Sequence, residues 1–389
     1  MLARRRQRKA EEEARIAELV AQYERSALLL FGPRPRSPGR HSTGELWWCK
    51  HYQWLKDSGY LLRSRYAPDW FPSWKTTNVS WVECEDRQGP LVEQVLDATR
   101  ISDGAFVTLK LFKKSLHPFE IEIGQFFSTE PLLSDPANHC VPFYDVLVVP
   151  DDEDRAIIVM PLLRFFDNPP FDTFGEVVDF LRQIFVGLRF MHKHHVAHRD
   201  CLNLNIMMDA TPLFVDPYHP QDLEMKRDYT GRVSYYTRTQ RPPKYLFVDF
   251  GISRRYGPND IAPLEDPIWG GDKTVPEFQQ SNEPRNPFPT DVYYLGNMIR
   301  DSFLLAKTGF EFVEPLVKVM VQDDPEKRPN MDEVIVRFEG IIKQLNSWKL
   351  RSRVINEHDD NIFGFYRCVT HWARRFSFVI RRVSAIPTP

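Results

Sequence analysis

The sequence predicts an α+β protein of two lobes, in which a small β-rich amino-terminal lobe precedes a larger helical carboxyl-terminal lobe. Its 389 residues, 42% hydrophobic and 27% charged, suffice for one large core in two lobes, or for one domain with extensions. Residues 90–160 show the short, β-branched-rich runs of strands. After Pro161 the apolar residues recur at helical spacing. Strands therefore come first and helices second.

The residues before the small lobe divide into two segments. Residues 1–40 are predicted as a charged helix followed by a Pro-rich linker, because closely spaced prolines cannot continue a helix. Residues 41–85 are Trp-rich and begin with a capping box, in which Glu45 stands three positions after Ser42. Clustered aromatics can form a carbohydrate or proline-peptide surface. Core packing is the preferred interpretation, so we expect 41–85 to pack on the small lobe.

The small lobe is predicted over 86–160 as four strands. Asp103-Gly104 is a tight-turn dipeptide, which predicts a hairpin between the first two strands. The predicted strands cover residues 91–96, 105–112, 144–149 and 156–160.

The large lobe is predicted over 161–345 and opens with a long amphipathic helix, Phe174 to His192. Residues 217–243 are Tyr-, Arg- and Pro-rich and predict a surface loop. The tail, 346–389, is basic and aromatic, with eight Lys or Arg against three acids after Trp348. Such a tail can contact an anionic membrane or an acidic partner, but folding back on its own protein is the preferred interpretation.

Composition indicates which kinds of partner and which cellular compartment to expect. The net charge of −2 and the pI near 6.6 predict no nucleic-acid partner. Five scattered cysteines indicate a reducing compartment. No apolar run approaches the roughly 20 residues that span a bilayer, and no signal core is present, so we expect no transmembrane segment and a cytoplasmic or nuclear location. The oligomeric state is not predicted.

Two short motifs carry the chemistry. His198-Arg199-Asp200 is followed by Asn205, five positions after the Asp, and Asp249-Phe250-Gly251 stands downstream. An Asp that can accept a hydroxyl proton, together with Asn and Asp side chains that can hold a metal ion, is what γ-phosphoryl transfer requires. Buried strands are predicted to flank both motifs, over Ile206–Met208 and Tyr245–Val248.

With these motifs and three later ones, the sequence over about residues 90–345 resembles the eukaryotic protein kinase superfamily. The Trp-rich segment resembles a lineage of fungal protein-kinase-like proteins. The three later motifs are Thr274–Glu277, Asp291–Gly296 and Asp324–Pro329. In kinases of this type the Asp of the second holds the catalytic-loop backbone, and the Arg of the third pairs with the Glu of the first, here Arg328 with Glu277.

The resemblance implies a bilobal protein-kinase-like fold and assigns the catalytic and metal residues. Asp200 would orient and deprotonate the substrate hydroxyl, with Arg199 beside it in the catalytic set. Asn205 and Asp249 would bind Mg²⁺. A carboxylate of Glu265 or Asp266 is expected to pair with Arg199 and so to replace activation by phosphorylation.

The resemblance also assigns an ATP site. Lys110, on the second predicted strand, would hold the phosphates with a glutamate partner, for which Glu120 is preferred over Glu122. Met160 would be the gatekeeper. Leu162 and Leu163 would line the adenine ring as hinge backbone.

The implied function is ATP- and Mg²⁺-dependent phosphoryl transfer to a hydroxyl of a protein substrate, with Ser or Thr favoured over Tyr. Two departures support an alternative, a pseudokinase acting as a binding or scaffold module. Residues 89–100 stand where a Gly-x-Gly-x-x-Gly loop is expected but lack its glycines, and the acids Glu93 and Asp97 would repel phosphate. Leu202 replaces a lysine of Ser/Thr kinases. A small-molecule kinase is the third hypothesis.

Overall fold

The computed structural model describes residues 39–260, 262–268, 271–279, 281–356, 371–372 and 374–388. The charged helix and linker predicted over 1–40 lie almost wholly outside the described residues. The fold is mixed α and β, with an antiparallel five-stranded sheet. The chain divides into two compact units, one built from residues up to 117, 143–162 and 216–233, the other from 118–142, 163–215 and 234 onward.

The first unit contains a five-stranded sheet, whose strands are β1 Tyr60–Leu62, β2 Val95–Arg100, β3 Phe106–Lys113, β4 Asp145–Val148 and β5 Arg155–Pro161. Their order in the sheet is β1-β2-β3-β5-β4. The predicted hairpin between β2 and β3 is confirmed, and Gly104 at its turn has a φ of +73°, in the left-handed region that favours glycine. Residues 91–94 were expected to be strand but form a turn, in which Val95 N donates to the Val92 carbonyl at 3.0 Å.

One face of this sheet packs against the Trp-rich segment. Val107, Leu109 and Leu111 alternate along β3 and are buried in one cluster with Trp48 and Leu55. Trp48 lies in the helix Thr43–Lys50, whose predicted capping box is present, and its indole N–H donates to the Glu93 carbonyl at 2.8 Å. Leu55 lies in the next helix, Tyr52–Asp57. Trp48 therefore contributes to core packing and not to an exposed binding surface.

The opposite face carries Lys110 together with a buried ionic cluster. Asp97, Thr108 and Met160 are paired in register across β2, β3 and β5, so their side chains share the face of Lys110. The carboxylate of Asp97 lies 3.1 Å from Arg63 Nε and 2.8 Å from Arg227 Nη2. Burial raises the pKa of Asp97, but the two guanidinium groups outweigh that effect and hold it below its ordinary value.

Arg227 belongs to a segment that was expected to be a surface loop. Residues 216–233 contain no helix or strand, as that prediction requires, but Tyr218 and His219 are buried, so the segment is not wholly at the surface. It packs within the first unit, where His219 is fully buried and lies 3.0 Å from Glu85 through Nε2. The Arg227 guanidinium also stacks over the Phe106 ring at 4.5 Å. Composition alone indicated a loop, because the partners of these polar side chains are distant in sequence.

The second unit is mainly helical. The predicted helix over Phe174–His192 is confirmed as Phe174–Lys193, and Thr173 and Glu176 form its capping box. Its strands are β6 Arg164–Phe165, β7 Val196–Ala197, β8 Ile206–Asp209, β9 Lys244–Phe247, β10 Arg254–Arg255, β11 Lys307–Thr308 and β12 Ile355–Asn356. They form three small sheets, in the orders β6-β8-β9, β7-β10 and β11-β12. Its other helices are Glu120–Phe127, Pro287–Ile299, Glu314–Met320, Met331–Gln344 and Ser347–Leu350, with a π-helical turn at Arg300–Leu304.

Within the described residues, no helix combines the length and apolar character needed to cross a lipid bilayer.

A buried carboxyl on the long helix predicts a pH-dependent stability. Burial raises the pKa of Asp179 from 3.8 to about 7, although the side-chain hydrogen bond from Gln183 and the charge of Arg182 oppose the shift. Because the folded pKa exceeds the unfolded one, the contribution of Asp179 to stability is complete below pH 4 and is lost as pH rises through 7. Asp179→Asn keeps an acceptor for Gln183 without the charge.

We expect Asp179→Asn to raise the free energy of unfolding by about 4 kcal/mol at pH 8, and by much less at pH 4. Denaturant unfolding of both proteins at the two pH values measures the difference. An equal effect of the substitution at pH 4 and pH 8 would show that Asp179 is ionised in the folded protein throughout.

Candidate catalytic site

The candidate site lies in the second unit, at one end of the antiparallel strand pair β8 and β9. Ile206 pairs with Phe247, so Asn205 directly precedes β8 where the chain leaving β9 reaches Asp249. Val248 N donates to the Asn205 carbonyl at 2.9 Å and extends the pairing by one residue. The strands predicted to flank both motifs are thus confirmed, and they bring Asn205 and Asp249 to the same edge.

Asn205 holds the carboxylate of Asp200. Its side-chain amide Nδ2 donates to Asp200 Oδ2 at 2.8 Å and to the Asp200 carbonyl at 3.0 Å. The other carboxylate oxygen, Asp200 Oδ1, is buried, and no group within the described residues donates a hydrogen bond to it. A buried acceptor in this state costs free energy unless another molecule supplies a donor.

Asp200 is also electrostatically unusual. Burial, together with the negative charges of Asp249, Asp291 and Asp272, raises its pKa to about 7, although the hydrogen bond from Asn205 opposes the shift. A carboxyl whose pKa is close to neutrality can both accept and release a proton near pH 7. Strong pKa shifts of this kind are concentrated at functional sites.

Asp291 fixes the backbone of the loop that carries Asp200, as expected from the sequence. Its two carboxylate oxygens accept from His198 N at 2.8 Å and from Arg199 N at 2.7 Å. Asp291 lies on the helix Pro287–Ile299 and is fully buried. Arg199 has a φ of +68°, a conformation that is strained for a non-glycine residue and that these two hydrogen bonds stabilise.

The Arg199 side chain connects the loop to the segment after Asp249. Its guanidinium lies 3.1 Å from the Glu265 carboxylate and donates to the Asp266 carbonyl at 2.7 Å. The expected pairing is therefore present, with Glu265 supplying the carboxylate. Asp266 contributes only its backbone oxygen.

Phe250 packs as expected. It is fully buried, and its ring centroid lies 6.2 Å from that of Phe127 and 5.9 Å from that of His198. Phe127 ends the helix Glu120–Phe127. On this helix Glu120 is buried and Glu122 is exposed, which agrees with the preference for Glu120.

The pairing of Lys110 with Glu120 stays a prediction, since the two residues belong to different units. In the first unit, Lys110 and Met160 share one sheet face, and the Leu162 carbonyl accepts from the Tyr218 hydroxyl at 3.3 Å. Leu163 belongs to the second unit. The adenine contact predicted for Met160, Leu162 and Leu163 likewise stays a prediction.

The sequence predicted that residues 89–100 take the place of a glycine loop, but the structure puts part of this segment in a strand. Residues 95–100 of that segment form β2, which pairs with β1, Tyr60–Leu62. The connection between these two strands is therefore the long segment 63–94, which contains Arg63 and Glu85. Distant pairing of β1 with β2 was not visible in the sequence, because β1 has only three residues.

A hydrogen-bonded group beside Asp200 was missed by the sequence analysis. The carboxylate of Asp272 accepts from the Thr274 backbone N at 2.8 Å and from its hydroxyl at 2.6 Å, and it also accepts from the Asn297 amide. Asp-Lys-Thr is an Asx-turn pattern, and this was the available signal. These hydrogen bonds fix Asp272 and Thr274, which follow Gly271, the residue that contacts Asp200.

Gly271 lies directly against Asp200. Its φ is +76°, and a Cβ there would lie 2.9 Å from Asp200 Oδ1 and 2.7 Å from the Ile268 side chain. Only glycine fits this position without displacing the Asp200 carboxylate or the Ile268 side chain.

The predicted pair of Glu277 and Arg328 is confirmed. Arg328 donates to the two carboxylate oxygens of Glu277 at 2.8 and 2.6 Å, and both side chains are buried. This bidentate geometry is the strongest form of the interaction. It attaches the end of the segment to the loop before the helix Met331–Gln344.

The side chains of Asn205 and Asp249 are suited to the predicted Mg²⁺. The described residues contain no group of three or more His, Cys, Asp or Glu side chains placed to hold a metal ion. Asn205 and Asp249 offer oxygen, the donor that Mg²⁺ prefers, because the Asn205 amide nitrogen is directed to Asp200. Two protein ligands fit an ion whose remaining positions are filled by phosphate and water.

No protein-family model matches the chain, and no curated protein matches its sequence.

Proposed function

We propose that the protein has a bilobal protein-kinase-like fold and catalyses ATP- and Mg²⁺-dependent transfer of a phosphoryl group to a Ser or Thr hydroxyl of a protein. One observation carries this proposal. Asp200 presents a buried carboxylate oxygen to which none of the described residues donates a hydrogen bond, while Asn205 holds its other oxygen. A substrate hydroxyl is the donor that this oxygen would accept.

The step follows from the chain's own residues. Asp200 Oδ1 accepts the hydroxyl proton as the substrate oxygen bonds to the γ-phosphorus and the bond to the ADP oxygen breaks. Asn205 orients the carboxylate, and Asp291 orients the loop that carries it. Mg²⁺, held by Asn205 and Asp249, would neutralise the charge of the transferred phosphoryl group.

The Arg199 contacts support activity without phosphorylation of the segment after Asp249. In many kinases this arginine needs a phosphate partner. Here Glu265 already supplies a negative charge 3.1 Å from the guanidinium.

A pseudokinase that binds a partner without turnover is the second candidate, and the first unit favours it. Asp97 places a buried carboxylate on the sheet face of Lys110, and Arg63 and Arg227 already occupy that carboxylate. Because Asp97 neutralises part of the positive charge of Arg63 and Arg227, that charge is less able to attract a nucleotide phosphate near this face. The segment 63–94 contains one glycine, so it lacks the backbone cradle of a glycine loop.

Nucleotide binding is tested by thermal stabilisation. We expect ATP with Mg²⁺, at 100 times its Kd, to stabilise the protein by about 2.7 kcal/mol, seen as a rise in Tm. EDTA or Asp249→Asn should remove the magnesium-dependent part of this rise. Asp209→Asn, which changes a carboxylate at the far end of β8, is the matched control and should respond as wild type. Absence of any Mg²⁺-ATP effect on wild-type Tm would refute the ATP site.

A further inference from the structure

The carboxyl-terminal segment presents apolar side chains on its outer face. Residues 371, 372 and 374–380 are helical. Trp372, Phe376, Val379 and Ile380 follow at the spacing of one helix face, and 37%, 62%, 53% and 79% of their surfaces are exposed. In an ordinary surface helix this outward face is polar.

The inner face of the same segment is held by specific contacts. Phe378 is buried, and His371 Nδ1 lies 3.2 Å from the Asp172 carboxylate. Farther on, the Ala385 carbonyl approaches Gly175 so closely that a Cβ there would lie 1.8 Å from it. The segment is therefore docked on the second unit by one face, which leaves the apolar face outward.

Trp348 extends the apolar face into a patch. Its side chain is 65% exposed, and its ring lies 5.7 Å from that of Trp372, which in turn lies 5.9 Å from Phe376. Arg375 stacks on Trp348 at 3.6 Å and donates to the Trp348 carbonyl at 3.3 Å, which fixes the two indoles. The aromatic patch comprises Trp348, Trp372, Phe376, Val379 and Ile380.

Basic residues flank the aromatic patch. Arg381 and Arg382 directly follow Ile380 and are exposed, and Arg374 lies on the same helical segment with 41% of its side chain exposed. The sequence contains no Asp or Glu from 361 to 389. Asp172, which lies 3.7 Å from Arg374, is the acidic partner at the inner face.

We propose that the aromatic patch docks on the surface of an anionic phospholipid bilayer. Trp and Phe side chains flanked by arginines suit the interface between headgroups and acyl chains, where apolar burial and electrostatic attraction act together. A second copy of the chain fits less well, because a two-fold contact would bring Arg381 and Arg382 against the same residues of the other copy. This proposal does not depend on phosphoryl transfer.

Co-sedimentation of the full-length protein with vesicles tests the proposal. We expect binding to phosphatidylcholine vesicles that contain phosphatidylserine, and much weaker binding to vesicles of phosphatidylcholine alone. Phe376→Ser with Ile380→Ser should weaken binding at least about tenfold, since both side chains lose apolar burial in the bilayer. Val336→Ser is the matched control, because Val336 is 73% exposed on a different helix, Met331–Gln344.

A charge variant separates the electrostatic contribution. Arg381→Gln with Arg382→Gln should weaken binding to the anionic vesicles about tenfold, and added salt should weaken wild-type binding in the same direction. Circular dichroism and Tm identify any variant that has lost its fold. The proposal would be overturned if wild-type protein failed to bind anionic vesicles, or if the Phe376→Ser, Ile380→Ser variant bound them as well as wild type. It would also be overturned if wild type formed a dimer that this variant did not form.

Discussion

Asp200→Asn is expected to lower the rate of phosphoryl transfer by about 10²–10⁴-fold, the range contributed by a positioned general base. The substitution removes the proton acceptor but keeps the shape of the side chain. It also keeps an oxygen for the Asn205 amide, which in the wild-type protein donates to Asp200 Oδ2 at 2.8 Å. Stabilisation by Mg²⁺-ATP should persist, since Asn205 and Asp249 are unchanged. Initial rates with saturating Mg²⁺-ATP measure the effect.

The control for this prediction is Asp209→Asn, which alters a carboxylate of the same unit outside the site. It should leave the rate unchanged. If Asp200→Asn transferred phosphate as fast as Asp209→Asn, Asp200 would not be the base, and the buried oxygen would need another explanation.

Arg328→Met is expected to lower the free energy of unfolding by about 3–5 kcal/mol, because it leaves the buried carboxylate of Glu277 without its partner. Arg328 also donates to the carbonyls of Gln322 and Pro289, and these acceptors would lose their donor as well. Denaturant unfolding measures the loss. Methionine keeps much of the apolar length, so the effect reports mainly on charge and hydrogen bonds.

The neighbouring residue provides a control for this loss of stability. Lys327 pairs with Asp324 at 3.2 Å, but its side chain is 70% exposed. Lys327→Met should therefore cost less than about 1 kcal/mol. Equal destabilisation by Arg328→Met and Lys327→Met would mean that the Glu277 pair contributes no more than a surface ion pair.

Features coded by short sequence spacing were predictable. The Ser42–Glu45 capping box, the Asp103-Gly104 turn and the helix that begins at Phe174 each depend on neighbours within a few residues. The Arg328–Glu277 and Asp291 contacts join distant segments, and the resemblance to a known motif order was needed to predict them.

Features that depend on distant partners were missed. Nothing local shows that Arg227 pairs with Asp97, or that Tyr60–Leu62 pairs with β2. Charged residues in a polar segment predict a loop by composition, and only the tertiary structure shows that their partners are buried. The contact of Gly271 with Asp200 is similar, since a glycine in a turn has many uses.

Transfer of radiolabelled γ-phosphate from Mg²⁺-ATP, by wild type and by Asp200→Asn in parallel, tests the central claim most directly. The acceptors are dephosphorylated casein and the protein itself. The proposed function predicts incorporation into Ser or Thr by wild type and at least about a hundredfold less by Asp200→Asn. Wild-type protein that is stabilised by Mg²⁺-ATP but incorporates no more label than Asp200→Asn would contradict it and favour the pseudokinase.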